Sequence, residues 1–259
     1  MRIRFLGTGT SHGVPVIGCG CPVCRSDDPR DRRTRSSIVV ETGRTAVLVD
    51  APPDLRQQAL RAGLSRLDAV LLTHEHADHV LGLDDLRRFN ETGGGAVAVH
   101  GPPEALAAVR RIFAYAFGDA SPGSSCPSMR LEPLRGPIEI GDLRIAPFEV
   151  EHGRTRTVGY RLETDGARAA YAPDCRRMPE AVVRALRGVD VMILDALRPT
   201  PHPTHLSLPE SLALLAHIGA RRSYLTHLCH RLGHAETERA LPPAVRVACD
   251  GLVVECAAP

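Results

Sequence analysis

The chain has 259 residues, enough for one large domain with a substantial core. Its 32 basic and 30 acidic residues leave it near neutral, which argues against broad electrostatic capture of nucleic acid. All 32 of those basic residues are arginine, so Schiff-base and P-loop lysine mechanisms are excluded, and no apolar run approaches the roughly 18 residues that span a bilayer.

In chain order, Met-Arg-Ile-Arg-Phe-Leu-Gly enters a strand over 2–6 directly, and with no leader ahead of it a cytoplasmic location is expected. Alternating or β-branched stretches predict strands at 37–42 and 45–50, joined by a hairpin at Gly43-Arg44. Pro53 through Gly63 reads as a helix ending on glycine. Asp68–Thr73 is a short buried strand that runs straight into a histidine motif. Further strands are expected at 96–99, 145–151, 157–163, 168–172, 190–194, 222–226 and 244–248, with helices near 103–115, 179–187 and 207–218. Residues 118–136 carry Gly, Pro and Ser without a period and read as a loop or lid. A strand-rich first half and a second half alternating strand and helix fit an α/β fold of the αββα sandwich kind, two mixed sheets with helices on the outer faces. No boundary divides 1–259 into separate domains.

The motif itself is His74, Glu75, His76, Ala77, Asp78 and His79. Three imidazoles and a carboxylate this close, at a strand end, suit two borderline metals such as Zn²⁺ or Mn²⁺. A second cluster, Cys19, Cys21 and Cys24, forms C-x-C-x-x-C. In a reducing compartment such clustered cysteines more often bind metal than form disulfides, and three thiolates fit one tetrahedral Zn²⁺ that needs a single further ligand. His230 is the best fourth ligand, with Cys229 and His234 as rivals.

The His-x-His-x-Asp-His run after a strand resembles the signature of the metallo-β-lactamase superfamily, and the resemblance extends over nearly the whole chain. It implies that family's αββα fold and a dinuclear site completed by His152 in Glu-Val-Glu-His-Gly, Asp174 in Tyr-Ala-Pro-Asp and His227 in Tyr-Leu-Thr-His. By this match one metal takes His74, His76 and His152. The other takes Asp78, His79 and His227, with Asp174 bridging. Asp50, closing its strand, is expected to orient a histidine rather than bind metal. A bridging Asp in place of a Cys ligand suits phosphodiester hydrolysis.

Gly-Thr-Gly-Thr-Ser-His-Gly-Val-Pro followed by C-x-C-x-x-C narrows the resemblance to the phosphoribosyl 1,2-cyclic phosphate phosphodiesterases of the carbon–phosphorus lyase pathway. Those enzymes combine a dinuclear site with a separate Cys₃His zinc. The match is specific there and at Thr-His-Leu-Cys-His, and loose over 90–145. It implies hydrolysis of small cyclic or alkyl phosphodiesters by a hydroxide bridging two divalent metals, Zn²⁺ or Mn²⁺, beside one structural Zn²⁺. Asp78 and His205 are the expected catalytic pair. His205, in Pro-His-Pro-Thr-His-Leu-Ser, resembles a histidine that contacts the phosphate or protonates the leaving oxygen. Ser207 and Glu210 form a capping-box pattern beside it, and Cys175 is expected to be a buried structural thiol.

Two alternatives remain. A tRNA 3′-processing nuclease shares the ligands but needs a basic arm, and 118–136 holds only Arg130 and Arg135. A non-catalytic metal-binding accessory protein of the pyrroloquinoline-quinone biosynthesis type also carries an N-terminal Cys cluster, but has no need of the complete ligand set. The expected partner is a small-molecule phosphodiester; neither nucleic acid nor a membrane is expected, and a homodimer is allowed.

Overall fold

The computed structural model describes residues 1–118 and 125–256. Strands β1 (Arg2–Gly7), β2 (Ser37–Glu41) and β3 (Ala46–Val49) pair antiparallel, and Thr42 and Thr45 close the turn between β2 and β3. Helix α1 (Leu55–Ala62) follows, capped by Gly63 at φ +62°, a conformation that glycine adopts without steric cost. It crosses to β4 (Ala69–Leu71), which runs parallel to β3 and leads into α2 (Ala77–Val80) and α3 (Leu86–Gly93). Then come β5 (Val97–Gly101), α4 (Pro103–Ile112) and β6 (Met129–Pro133), each new strand parallel to the last.

The second sheet begins with β7 (Ile138–Ile140), β8 (Leu143–His152) and β9 (Thr155–Thr164), again antiparallel. The remaining elements are β10 (Ala167–Ala172), α5 (Glu180–Ala185), β11 (Val191–Asp195), α6 (Leu208–Ile218), β12 (Arg222–Thr226), α7 (His234–Arg239), β13 (Val245–Val247) and β14 (Val253–Glu255). Strands β10 to β13 are parallel neighbours, and β14 returns to pair with β1. The described residues thus form two seven-stranded mixed sheets, ordered β14-β1-β2-β3-β4-β5-β6 and β13-β12-β11-β10-β9-β8-β7.

Alternation sorts side chains to the two faces of each sheet. Ile3, Phe5, Val47, Val49, Ile145, Tyr160, Tyr171 and Ile193 meet in the layer between the sheets. Leu48, Val70 and Val99 point outward beneath α1, α3 and α4, while Ala170, Met192, Leu194 and Leu225 do the same beneath α5 and α6. The αββα expectation therefore holds, with three continuous apolar layers.

The stretch 118–136 departs from its reading as loop. Residues 119–124 lie outside the described residues, but Met129–Pro133 is an edge strand in register with β5, Val97 opposite Met129. Only Met129 of that strand is buried, so an edge position weakens the alternation that would mark it. No helix among the described residues is long and apolar enough to cross a membrane.

Gly82 fixes how the histidine motif is presented. A Cβ there would stand 2.0 Å from the Pro52 carbonyl oxygen. Its N–H donates to Ala51 O, and the Ala51 N–H to His79 O, both at 2.8 Å. Only glycine lets the two segments approach this closely.

Candidate metal centre

The candidate ligands collect at strand ends, most of them ends of strands with a parallel neighbour. His74–His79 follows β4, Asp174 follows β10, His227 follows β12, and His152 closes β8. Strand ends in such sheets leave a crevice toward which side chains converge. Asp50 and His227 both sit at positive φ, +62° and +58°. These are uncommon for residues with a Cβ, cost about 1–3 kcal/mol each, and persist where the surroundings over-determine them.

Two groups of ligand atoms form. In the first, His74 Nε2 and His76 Nδ1 lie 2.8 Å apart, with His152 Nε2 3.4 Å from His76 Nδ1. In the second, Asp78 Oδ2 lies 3.4 Å from His79 Nε2 and 3.8 Å from His227 Nε2. Asp174 stands between them: one oxygen is 3.1 Å from His79 Nε2, the other 3.4 Å from His227 and 3.8 Å from His152. Ligands bonded at about 2.1 Å to one tetrahedral ion lie about 3.4 Å apart, so these separations suit shared cations. The residues of both expected groups are brought together with Asp174 reaching each, and comparable separations also group His74, His79 and Asp174, and His152, Asp174 and His205.

Burial explains why cations fit. His79 Nε2, Asp174 Oδ2 and both ring nitrogens of His227 are buried without a hydrogen-bond partner. Buried polar atoms left unsatisfied cost about 1–3 kcal/mol each, more when charged. All belong to one ligand set, which a divalent cation would satisfy. Burial pushes the imidazoles of His74 and His152 down, His152 to about 4, toward the neutral form that binds metal. His79 is also disfavoured as a cation by burial, but Asp174, Asp50 and Asp78 outweigh that and hold it well above the ordinary histidine range.

Behind the ligands stands a second layer of contacts. Asp50, fully buried, accepts from Thr73 N at 2.8 Å and meets His79 Nδ1 at 2.8 Å. The Thr73 hydroxyl lies 2.9 Å from Asp50 and 2.9 Å from His74 Nδ1. One carboxylate thus orients a histidine from each group, directly or through a hydroxyl. Asp50→Asn is expected to weaken metal affinity about 10–100-fold with the fold intact, as read by metal titration and circular dichroism. Wild-type affinity in the variant would refute that role.

The cysteine cluster closes around His230. Its Nδ1 lies 3.2, 3.4 and 3.6 Å from the sulfurs of Cys19, Cys21 and Cys24. The Cys24 N–H, donating to the Cys21 sulfur, leads a set of hydrogen bonds that draws this thiol down to about 6, while burial pushes Cys24 up to about 11. Neither rival joins this group: Cys229 and His234 lie outside the set of ligand atoms within one metal's reach, although the His234 Nδ1 is itself buried without a partner. Cys229 Sγ accepts from Arg231 N, and the His234 N–H donates to Asp31.

His205 faces the same crevice. Its Nδ1 lies 2.8 Å from Asp195 Oδ2, and its ring stacks on His227 at 4.8 Å. With Nδ1 committed to Asp195, Nε2 is left for a ligand. Burial pushes Asp195 well above the carboxylate range and His205 below the histidine range. Sequence reasoning missed Asp195; its only signal was an acid closing a buried strand, as Asp50 does. It also missed the Thr204 carbonyl, 2.8 Å from His152 Nδ1, and Thr155, whose hydroxyl lies 3.2 Å from His76 Nε2. The expected capping box is present, with Glu210 accepting from the N–H and hydroxyl of Ser207. Cys175 is wholly buried, whereas His12 is exposed.

Two sheets with His and Asp side chains clustered at their joint define a candidate metal-binding site. The β-lactamase superfamily domain model matches residues 45–228, and the chain belongs to the metallo-β-lactamase superfamily. A solved structure described as a new diphosphatase from the PhnP family is 40% identical, with a TM-score of 0.90 and 99% of each chain covered. A protein of Porphyromonas gingivalis named octanoyltransferase is 37% identical over 257 residues, 97% of this chain but 51% of that protein. This chain therefore spans about half the length of that relative. Coenzyme PQQ synthesis protein B of Methylobacterium radiotolerans is 34% identical over 224 residues, 75% of this chain and 72% of that protein.

Proposed function

We propose that the chain is a phosphodiesterase acting on small cyclic or alkyl phosphodiesters, such as phosphoribosyl 1,2-cyclic phosphate. The observation that carries this reading is Asp174, one carboxylate within reach of both histidine groups and buried with an oxygen unpartnered. Likeness to a PhnP-family diphosphatase supports it. His74, His76 and His152 would hold one divalent cation, Zn²⁺ or Mn²⁺, and Asp78, His79 and His227 the other, shared through Asp174. When bound, such a pair supplies a nucleophile at neutral pH and stabilises charge on a transferring phosphoryl group. Cys19, Cys21, Cys24 and His230 would hold a structural Zn²⁺.

The chain's own residues do the rest. Asp195 holds His205 by Nδ1, so that Nε2 carries a proton toward the leaving oxygen. Asp50 and the Thr204 carbonyl keep His79 and His152 from turning out of the site. Asp78, Asp174, Thr204, His205 and His227 line a cleft of about 290 Å³, a size for small substrates. A reducing cytoplasm would keep Cys19, Cys21 and Cys24 available as zinc ligands.

Metal analysis with a substrate panel tests this. The expected result is about three metals per chain and hydrolysis of bis(p-nitrophenyl) phosphate, with little action on a β-lactam or a thioester. Metal-loaded protein inert toward every phosphodiester would overturn it and favour the second reading, an accessory protein like the coenzyme PQQ synthesis relatives. Octanoyl transfer is not proposed, because the relative so named is twice as long as the match.

His205→Ala separates proton donation from general damage. The loss in kcat is expected to be about 10²–10⁴-fold for an alkyl phosphodiester and far smaller for a p-nitrophenyl ester, whose leaving group needs no proton. Equal losses on both substrates would assign His205 to structure instead.

A further inference from the structure

The two-residue turn between β8 and β9 carries an arginine without a partner. His152 and Thr155 are the last register pair of that hairpin, leaving Gly153 and Arg154 at its tip. Arg154 is exposed and lines the metal cleft beside His76, His152 and His205. Among the described residues it makes no side-chain hydrogen bond or ion pair. Its neighbours are compensated: Arg156 pairs with Glu104 and Glu149, Arg176 with Glu210 and Arg177 with Glu151.

The turn is also held in place. His152 Nδ1 meets the Thr204 carbonyl at 2.8 Å, and the Thr155 hydroxyl lies 3.2 Å from His76 Nε2. Gly153, at φ +60°, packs so closely that a Cβ would stand 2.9 Å from Thr204 Cγ2. The root of Arg154 is therefore tied on both sides to candidate ligands, while its head is free. A planar guanidinium pairs with phosphate through two parallel hydrogen bonds, and little of its binding strength is spent when its base is already fixed.

Building on the phosphodiesterase reading, we infer that Arg154 is a specificity-determining residue that binds a second phosphoryl group of the substrate, beside the one undergoing hydrolysis. Such substrates are diphosphates, or phosphodiesters that also bear a phosphate monoester.

Calorimetric binding of orthophosphate and methylenediphosphonate to the metal-loaded protein tests this directly. The wild type is expected to prefer the diphosphonate, and Arg154→Ala to cut that preference roughly tenfold. Arg156→Ala, which removes a compensated arginine from the same hairpin, should leave the ratio of the two dissociation constants unchanged. An unchanged ratio in Arg154→Ala, or an equal fall in both variants, overturns the assignment. The same protein failing to hydrolyse any phosphodiester would overturn the phosphodiesterase reading alone, because the binding ratio is still measured.

Discussion

Asp174→Ala is expected to lower phosphodiesterase turnover at least about a thousandfold, or about 4 kcal/mol of transition-state stabilisation. The residue touches both histidine groups, His79 at 3.1 Å, His227 at 3.4 Å and His152 at 3.8 Å. No other carboxylate among the described residues spans them in this way. Without it the two remaining sets share a single carboxylate, that of Asp78, and have less charge to hold a cation. Metal content should fall with activity, while the protein without metal keeps its fold, because a buried carboxylate and its desolvation cost are removed together. Inductively coupled plasma analysis, turnover of bis(p-nitrophenyl) phosphate and thermal melting check the three parts. Near-normal turnover in the variant would remove Asp174 from the site. Asp78, with a side chain 13% exposed and contacts to the second group alone, should give a smaller metal loss at Ala.

Cys21→Ser is expected to cost one metal per chain and a lower melting temperature. The segment from Pro15 to Ser26 buries only Cys24, and Ile17 is 98% exposed, so a core cannot hold it. The structural zinc would take the core's place, as in small metal-folded domains. Local opening absorbs part of the loss. If about 3 kcal/mol is transmitted, the melting temperature falls by about 6–12 °C. Turnover should fall as well, although every catalytic ligand is intact, since His230 lies three residues from His227. Retention of all metals with unchanged melting would refute the structural zinc.

Much of the site was legible because its chemistry is local. The six-residue histidine motif and the C-x-C-x-x-C cluster need only sequence spacing, and His152, Asp174 and His227 each close a strand whose apolar pattern is strong. What escaped depends on tertiary context. Asp195 resembles any strand-terminating acid until His205 is seen 2.8 Å away. The Thr204 carbonyl has no side-chain signature at all. Among elements, β6, β7 and β14 are short edge or near-edge strands, and α3 ends in a glycine run, so their periodicities are too brief to read. The expected fourth partner of the cysteine cluster was one of three neighbours in sequence, and only the fold brings His230, and neither Cys229 nor His234, to the three sulfurs.

The order of the strands carries a consequence of its own. In the first sheet β1 to β3 pair antiparallel and β3 to β6 run parallel; in the second, β7 to β10 pair antiparallel and β10 to β13 run parallel. Each half of the chain thus contributes an antiparallel run followed by a parallel one, and β14 returns from the second half to the edge of the first sheet. The candidate ligands divide between the halves: His74, His76, Asp78 and His79 come from the first, and His152, Asp174 and His227 from the second. Each expected group draws on both halves, so a half expressed alone is expected to bind cations more weakly than the whole chain. The candidate metal centre is thus a joint between the two halves of the chain, and its geometry depends on how the two sheets pack.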